Sequence, residues 1–353
     1  MLTNALTIDV EDYFQVQAFA EHIRYEDWGN YACRVEKNTY RIIDILKGRP
    51  TNLKATFFVL GWIAERYPGL IKEIHSQGHE IACHGYAHRL IYEQAPEEFR
   101  EDVQKAKAIL EDLTGEPVIG YRAPSYSITR DSLWAFEVLM EEGFQYDSSV
   151  FPIRHDFYGI PEAPRFPFLV SLNGNGRPEF KPIDSSFLNG TICSPSNPTN
   201  SLDPRPSTLA PQALIEFPLS TFPLGRFNLP LSGGGYFRLL PYPIIKKGLK
   251  RINENENRPF IFYLHPWELD PDQPRISGAG IKSKFRHYLN LDKTEPRFKH
   301  LLKDFNFSSI QDIFSFSAKP PEKAKDSVAP RIKTAAGPAA GRIMKNRSLS
   351  DFS

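Results

Sequence analysis

The sequence predicts an α/β protein built on a parallel sheet, open or closed into a barrel, and three observations predict it. Short runs of apolar, β-branched and aromatic residues recur through the first part of the chain. Segments with helical apolar spacing and a terminal glycine separate them. Acids, imidazoles and hydroxyls fall just after the runs rather than inside them.

Leu6–Asp9 reads as the first strand, and Ala55–Leu60 (Ala-Thr-Phe-Phe-Val-Leu) as the second. Over Trp62–Gln77, Ile63, Leu70, Ile71 and Ile74 keep helical spacing, with Gly78 as the stop. His79–Cys83 is a third strand. Pro96–Leu113 is the best-defined amphipathic helix: Phe99, Val103, Ala106, Leu110 and Leu113 form one stripe, closed by Gly115. Val118–Tyr121 is another strand, Asp131–Glu142 another helix ending at Gly143, and Phe144–Asp147 the next strand.

The pattern then degrades. Ser171–Ala210 is rich in Gly, Asn, Ser and Pro and reads as a long surface insertion, in which the sequon Asn189-Gly190-Thr191 is a chance match. Order resumes at Leu214–Pro218. Gly233-Gly234-Gly235 marks a tight backbone passage, and Pro259–Leu264 is a buried strand leading to His265. Residues 1–316 are therefore expected to form one domain that carries the 171–210 insertion. Residues 317–353, rich in Pro, Ala and Lys with no apolar stripe, form a disordered basic tail.

A chain of 353 residues with 41% apolar content can bury one large core. The formal net charge of +1 gives no general reason to expect nucleic-acid binding. Cys33, Cys83 and Cys193 are too scattered for a disulfide framework or a paired-cysteine zinc site, and Cys83 is read as packing inward. No apolar stretch is long enough to span a bilayer, and the N-terminus has neither a basic region nor a long apolar one. The expected location is the cytoplasm.

In α/β barrels, reactive groups gather at the carboxyl ends of the strands. Asp9, Glu11 and Asp12 follow the first strand, and His84 and His88 the third. Arg122, Ser125 and Tyr126 follow the next, Asp147-Ser148-Ser149 another, and His265 the last. Two imidazoles four residues apart, with a carboxylate from another strand end, are the parts of a three-ligand divalent-metal site with an open position for water. That set points to metal-assisted hydrolysis. Singly, each cluster has a plainer reading: a lone His-x-x-x-His often caps a helix or faces solvent, and Arg122 could pair with a surface acid. His75 and His79 read as surface or packing residues, and His155 and Asp156 as loop residues or substrate contacts. Trp267 could stack on a sugar ring, and Asp270 could orient His265.

The order of motifs resembles the polysaccharide deacetylase family of carbohydrate esterases, the NodB-homology type. Acids come first, then His84-x-x-x-His88, Arg122-x-Pro124, Asp147-Ser148-Ser149 and Leu264-His265. More narrowly, Asp9–Phe14, His155–Pro161 and Gly233–Pro241 resemble the subfamily found with exosortase/PEP-CTERM exopolysaccharide loci. The resemblance implies a distorted (β/α)7 barrel and a divalent metal, zinc or similar. It also implies removal of N-acetyl groups from N-acetylhexosamines of a polysaccharide or its lipid-linked precursor. By that resemblance His84 and His88 bind the metal with one acid. Asp9 is the general base held by Arg122, His265 is the general acid, and a backbone N–H near Ser125 or Tyr126 serves the oxyanion. The common form of the first motif has two adjacent aspartates, whereas Val10 follows Asp9 here. The third ligand is then Glu11 or Asp12, and strand alternation, which puts 9 and 11 on one side, favours Glu11. Ser125 likewise stands where the family's motif has an aromatic residue.

The implied partner is an N-acetylated polysaccharide or lipid-linked oligosaccharide, with peripheral membrane contact through the basic tail as a corollary. Two other readings fit parts of the pattern: an allantoinase-like hydrolase acting on a small amide, and an inactive carbohydrate-binding homologue. The joint presence of base, ligands, arginine and acid argues against the second, since each is costly to bury without use.

Overall fold

The computed structural model describes residues 2–48, 53–183, 213–225 and 227–314. The chain divides into two units, Met1–Ala318 and Lys319–Ser353, and only the first falls within the described residues. Expectations for most of the insertion, for the Asn189 sequon, for Cys193 and for the tail lie outside them.

The strands in chain order are β1 (Thr3–Val10), β2 (Thr56–Val59), β3 (Glu80–Cys83), β4 (Gly120–Tyr121), β5 (Tyr146–Asp147), β6 (Phe168–Leu172), β7 (Pro178–Pro182), β8 (Ala213–Glu216), β9 (Thr221–Leu224), β10 (Phe227–Pro230), β11 (Ile261–Leu264) and β12 (Asn306–Ser308). The helices are α1 (Val35–Lys47), α2 (Gly61–Arg66), α3 (Pro68–Ser76), α4 (Pro96–Thr114), α5 (Ala135–Glu141), α6 (Gly234–Leu239), α7 (Tyr242–Glu254), α8 (Ile281–Tyr288), α9 (Leu291–Asp304) and α10 (Ile310–Phe314).

The strands in the order β11-β1-β2-β3-β4-β5-β8 run parallel to their neighbours. Ala5, Phe58, Ala82, Ile119, Tyr146, Ile215 and Ile261 come from these strands or their edges and share one buried cluster with Phe217, Ile310 and Phe314. A sheet whose strands all meet at one interior has curled on itself. The alternate residues Leu6, Ile8, Val10, Phe57, Val59 and Cys83 join the larger core under the helices. Because both faces are covered, the strands read as near-continuous apolar runs. α10 plugs the amino end: the Ile310 N–H donates to Thr56 Oγ1, and the Gln311 N–H to Glu80 Oε2.

β8 and β11 do not ladder to each other. The Ile261 N–H donates to Ser220 Oγ at 2.8 Å and the Tyr263 N–H to the Ser232 carbonyl at 2.8 Å, so the segment after β8 spans the gap. The result is a distorted seven-stranded α/β barrel. Gly233 makes this closure feasible: its φ is 140°, and a Cβ there would lie 1.9 Å from the Tyr263 carbonyl oxygen.

Two expectations need correction. The helix expected over Trp62–Gln77 is two helices, α2 and α3, broken at Tyr67. Pro68 removes an amide donor and pushes the preceding residue out of helical space, and Tyr67 has φ −125° and ψ 56°. The segment expected to be insertion from Ser171 onward begins instead as a hairpin. β6 and β7 pair antiparallel around Asn173–Gly176, and β6 also pairs antiparallel with β8. The Asn-Gly-Asn-Gly run between two apolar-alternating stretches was the available signal.

Candidate metal centre and catalytic groups

Each group in the site is set by a strand end. Thr7, Asp9 and Glu11 follow the inward alternation of β1, and Val10 faces the helices. His84 extends the β3 ladder by one residue, its N–H bonded to the Val59 carbonyl. The loop after it is fixed by Asp102 of α4, whose carboxylate accepts the N–H groups of Tyr86 and Ala87. His88 then takes a left-handed conformation, φ 52°, and its ring returns to the barrel axis. Ser125 and Tyr126 are left-handed as well, φ 52° and 56°. Non-glycine residues in this region cost about 1–3 kcal/mol each and persist where surrounding structure enforces them.

Glu11, His84 and His88 each present a ligand atom, and these atoms lie within 4.8 Å of one another, all buried. His84 Nδ1 lies 2.7 Å from the Arg122 carbonyl, so Nδ1–H donates there and Nε2 is left as the lone-pair atom. Burial pushes the His84 pKa down to about 4, so the ring is neutral at pH 7, as a metal ligand must be. Burial works to raise the Glu11 pKa, but the His88 and His265 imidazoles hold it well below the carboxylate range. Glu11 Oε2 is buried without a donor that meets hydrogen-bond geometry, and it lies 2.7 Å from His88 Nε2. Glu11 Oε1 accepts the Trp267 indole N–H at 3.2 Å. Two imidazoles, one carboxylate and an orphaned carboxylate oxygen fit a borderline cation such as zinc.

Asp9 sits beside this group. Arg122 Nη1 donates to Asp9 Oδ1 at 2.6 Å and to Thr7 Oγ1 at 2.8 Å, while Nε and Nη2 donate to the carbonyl and hydroxyl of Ser148. The Tyr126 hydroxyl reaches Asp9 Oδ2 at 3.4 Å. His265 Nε2 lies 3.8 Å from Asp9 Oδ2 and 3.6 Å from Glu11 Oε1. Burial lowers the His265 pKa, but Glu11 and Glu268 raise it more, to about 9.

The structure thus brings Asp9, Glu11, His84, His88, Arg122, Tyr126 and His265 together and leaves three sequence candidates in other roles. Asp12 points away: its carboxylate accepts the N–H groups of Tyr13, Arg34 and Val35, the last two at the start of α1. Trp267 is buried and stacks on His265 and His287, so its ring supports the site rather than offering a sugar platform. The Tyr126 N–H is committed to the Ala123 carbonyl, which leaves half-buried Ser125 as the candidate oxyanion donor. Asp270 binds Arg34 and Asn38, not His265. The acid that does meet His265 is Glu268, missed in the sequence although three residues is the spacing of a capping box.

The parallel barrel carries a carboxylate–imidazole cluster able to hold a metal ion, with buried Asp9 beside it, at the carboxyl ends of its strands, and known proteins share parts of this chain. Residues 26–140 match the family described as polysaccharide deacetylase, and residues 185–315 match a domain of unknown function, DUF3473. The chain thus carries a region similar to polysaccharide deacetylases, followed by a region similar to DUF3473. Similar curated proteins include a peptidoglycan deacetylase-like protein, FGM2, of Gibberella zeae, 34% identical over 110 residues, 31% of this chain and 32% of that protein. A peptidoglycan-N-acetylglucosamine deacetylase of Bacillus cereus is 38% identical over 100 residues, 28% of this chain and 36% of that one. The matched stretch spans about a third of the length of these curated relatives. Among solved structures, the PuuE allantoinase is similar over 88% of both chains at 15% identity, with a TM-score of 0.48, too loose to bear on activity. No helix among the described residues is long and apolar enough to cross a membrane.

Proposed function

We propose that this protein is a metal-dependent N-deacetylase acting on N-acetylhexosamine units of a polysaccharide or its lipid-linked precursor, in exopolysaccharide biosynthesis. The observation that carries the reading is the convergence of the buried Glu11–His84–His88 cluster, buried Asp9 and half-buried His265 in one site. Glu11, His84 and His88 would hold the ion, zinc being the best chemical fit. When bound, the ion would acidify a water and polarise the acetamide carbonyl.

Asp9, paired with and aimed by Arg122, takes the proton from the attacking water. His265 carries a proton at neutral pH and gives it to the departing nitrogen, whose anion is otherwise a very poor leaving group. A cation on Glu11 would offset that residue's share in charging the imidazole, and Glu268 would keep its own. Ser125 N–H is the candidate donor to the oxyanion. An intracellular enzyme would meet the lipid-linked precursor at the inner membrane face, with the basic tail assisting.

Acetate release from chitooligosaccharide or poly-N-acetylglucosamine by the metal-loaded protein is the test. The expected result is release that chelator and Asp9→Asn both abolish. No release from any N-acetylated glycan would overturn the reading.

A further inference from the structure

The site draws on both matched regions, with Asp9 and Glu11 of β1 and its end lying ahead of the first. His84, His88 and Arg122 lie within residues 26–140, whereas His265 and the groups behind it lie within 185–315, the domain without an assigned function. Behind His265 those groups form an unbroken buried chain. Glu268 Oε1 lies 2.6 Å from His265 Nδ1 and also accepts the His265 backbone N–H at 3.1 Å. Its other oxygen accepts Arg238 Nε at 2.6 Å. Arg238 in turn donates to the His287 carbonyl at 2.7 Å and the Leu289 carbonyl at 3.1 Å, with its guanidinium 5.1 Å from the Trp267 ring centre. Glu268 is wholly buried and Arg238 nearly so, so neither can exchange these partners for water.

From this chain we infer that the DUF3473 domain is the proton-delivery half of the site, and that Glu268, backed by Arg238, is the positioning residue for His265. The inference rests on the hydrolase reading above. The alternative, that the Arg238–Glu268 pair only staples α6 to the turn Pro266–Leu269, does not account for Glu268 binding the imidazole and the backbone of the same residue. A carboxylate at Nδ1 fixes the tautomer and the ring plane together. With Nδ1–H held by Glu268, only Nε2 faces Asp9 and Glu11, where the reacting carbon would sit. As the tetrahedral adduct collapses, the C–N bond breaks, its electron pair stays on nitrogen, and the Nε2 proton moves to that nitrogen. Acetate and a free amine leave, the imidazole is left neutral with Nδ1–H still on Glu268, and solvent returns the proton.

Proton delivery matters for an amide and hardly at all for an ester with an acidic phenol as leaving group. That difference supplies a test independent of the natural glycan: 4-nitroacetanilide against 4-nitrophenyl acetate, with wild type and Glu268→Gln, both zinc-loaded. The expected result is a fall in kcat for the anilide of about 10–100-fold with KM held, the usual size for a group that supports a reacting one. The ester should change less than about threefold, with bound zinc unchanged. Equal losses on both probes, or none on either, would overturn the inference, as would a wild-type protein inert to both. If wild type cleaves the anilide but no N-acetylated glycan, the glycan reading fails, while the ratio between the probes still decides the role of Glu268. Should Glu268→Gln not fold, proton–nitrogen NMR of the wild type decides: a hydrogen-bonded Nδ1 proton on His265 is expected, and an imidazole protonated only at Nε2 overturns the assignment.

Discussion

Asp9 and Arg122 meet at 2.6 Å in the barrel interior, neither with appreciable access to solvent. Such a pair gives up more hydration than its attraction returns unless every remaining donor is also satisfied. Here that condition is nearly met: besides Asp9, Thr7 and both oxygens of Ser148 take three more of the guanidinium's five N–H groups, and Phe58 lies under its plane at 4.1 Å.

Removing one partner alone should therefore be costly. Arg122→Met leaves Asp9 as an uncompensated buried charge and is expected to destabilise the fold by about 3–5 kcal/mol. Asp9→Asn keeps an oxygen for Arg122 and should lose less stability while abolishing turnover. Urea midpoints for the two variants check the order, and a fold less sensitive to Arg122→Met than to Asp9→Asn would contradict it.

The ligand cluster makes a separate prediction about the resting protein. An ion that binds only the folded state adds stability as RT ln(1 + [L]/Kd), about 4 kcal/mol at a thousandfold excess over Kd. Wild type should bind one equivalent of zinc and melt lower after chelation. Glu11→Gln and His84→Ala should bind far less and be indifferent to chelator. Metal analysis and melting curves on the same samples test this, and full zinc occupancy in Glu11→Gln would remove that residue from the ligand set.

Much of this site could be read in the sequence, because each reactive group stands immediately after an apolar strand and the strands are parallel. That arrangement delivers Asp9, Glu11, His84, His88, Arg122 and His265 to one end without knowledge of the loops. Contacts that depend on loop paths were not legible. Asp12 has the same chemistry as Glu11, and only the turn after Val10, with the Glu11 N–H bonded to the Asp9 carbonyl, sends it towards α1. Glu268 and Asp270 look equally suited to hold His265 until the turn Pro266–Leu269 gives Glu268 to the imidazole and Asp270 to Arg34. The hairpin β6–β7 was obscured because its edge partner, β8, lies across a long polar stretch.

Asp12 offers a clean separation between a structural and a ligand acid. It satisfies two amides at the start of α1, at 2.5 Å from Arg34 N and 2.8 Å from Val35 N. Asp12→Ala should destabilise the protein by about 1–2 kcal/mol through the lost cap. Zinc stoichiometry should stay at that of wild type. A variant that keeps wild-type stability but loses its metal would reverse the assignment.

Asp147 and Glu216 face each other across β5 and β8, both fully buried, and burial raises both carboxyl pKa values, Glu216 well above its usual range. The pair holds a loop that frames the site. Glu216 accepts the Val150 N–H at 2.8 Å, and Asp147 accepts the Ser149 hydroxyl, which itself accepts the Ala123 N–H. Two carboxylates cannot both be charged there, so the folded pair retains a proton that the unfolded chain releases above about pH 4. Wherever the folded state binds more protons than the unfolded, stability falls as pH rises. Wild type should therefore lose stability from this source between pH 5 and pH 8. Glu216→Gln, whose amide can donate to Asp147 without a titrating proton, should lose less. Its stability relative to wild type should rise by about 1 kcal/mol or more over that range, since one pKa unit corresponds to 1.36 kcal/mol. Urea unfolding of both proteins at pH 5 and pH 8 measures the difference, and a difference that stays flat between the two would mean the native pair is ionised on both sides.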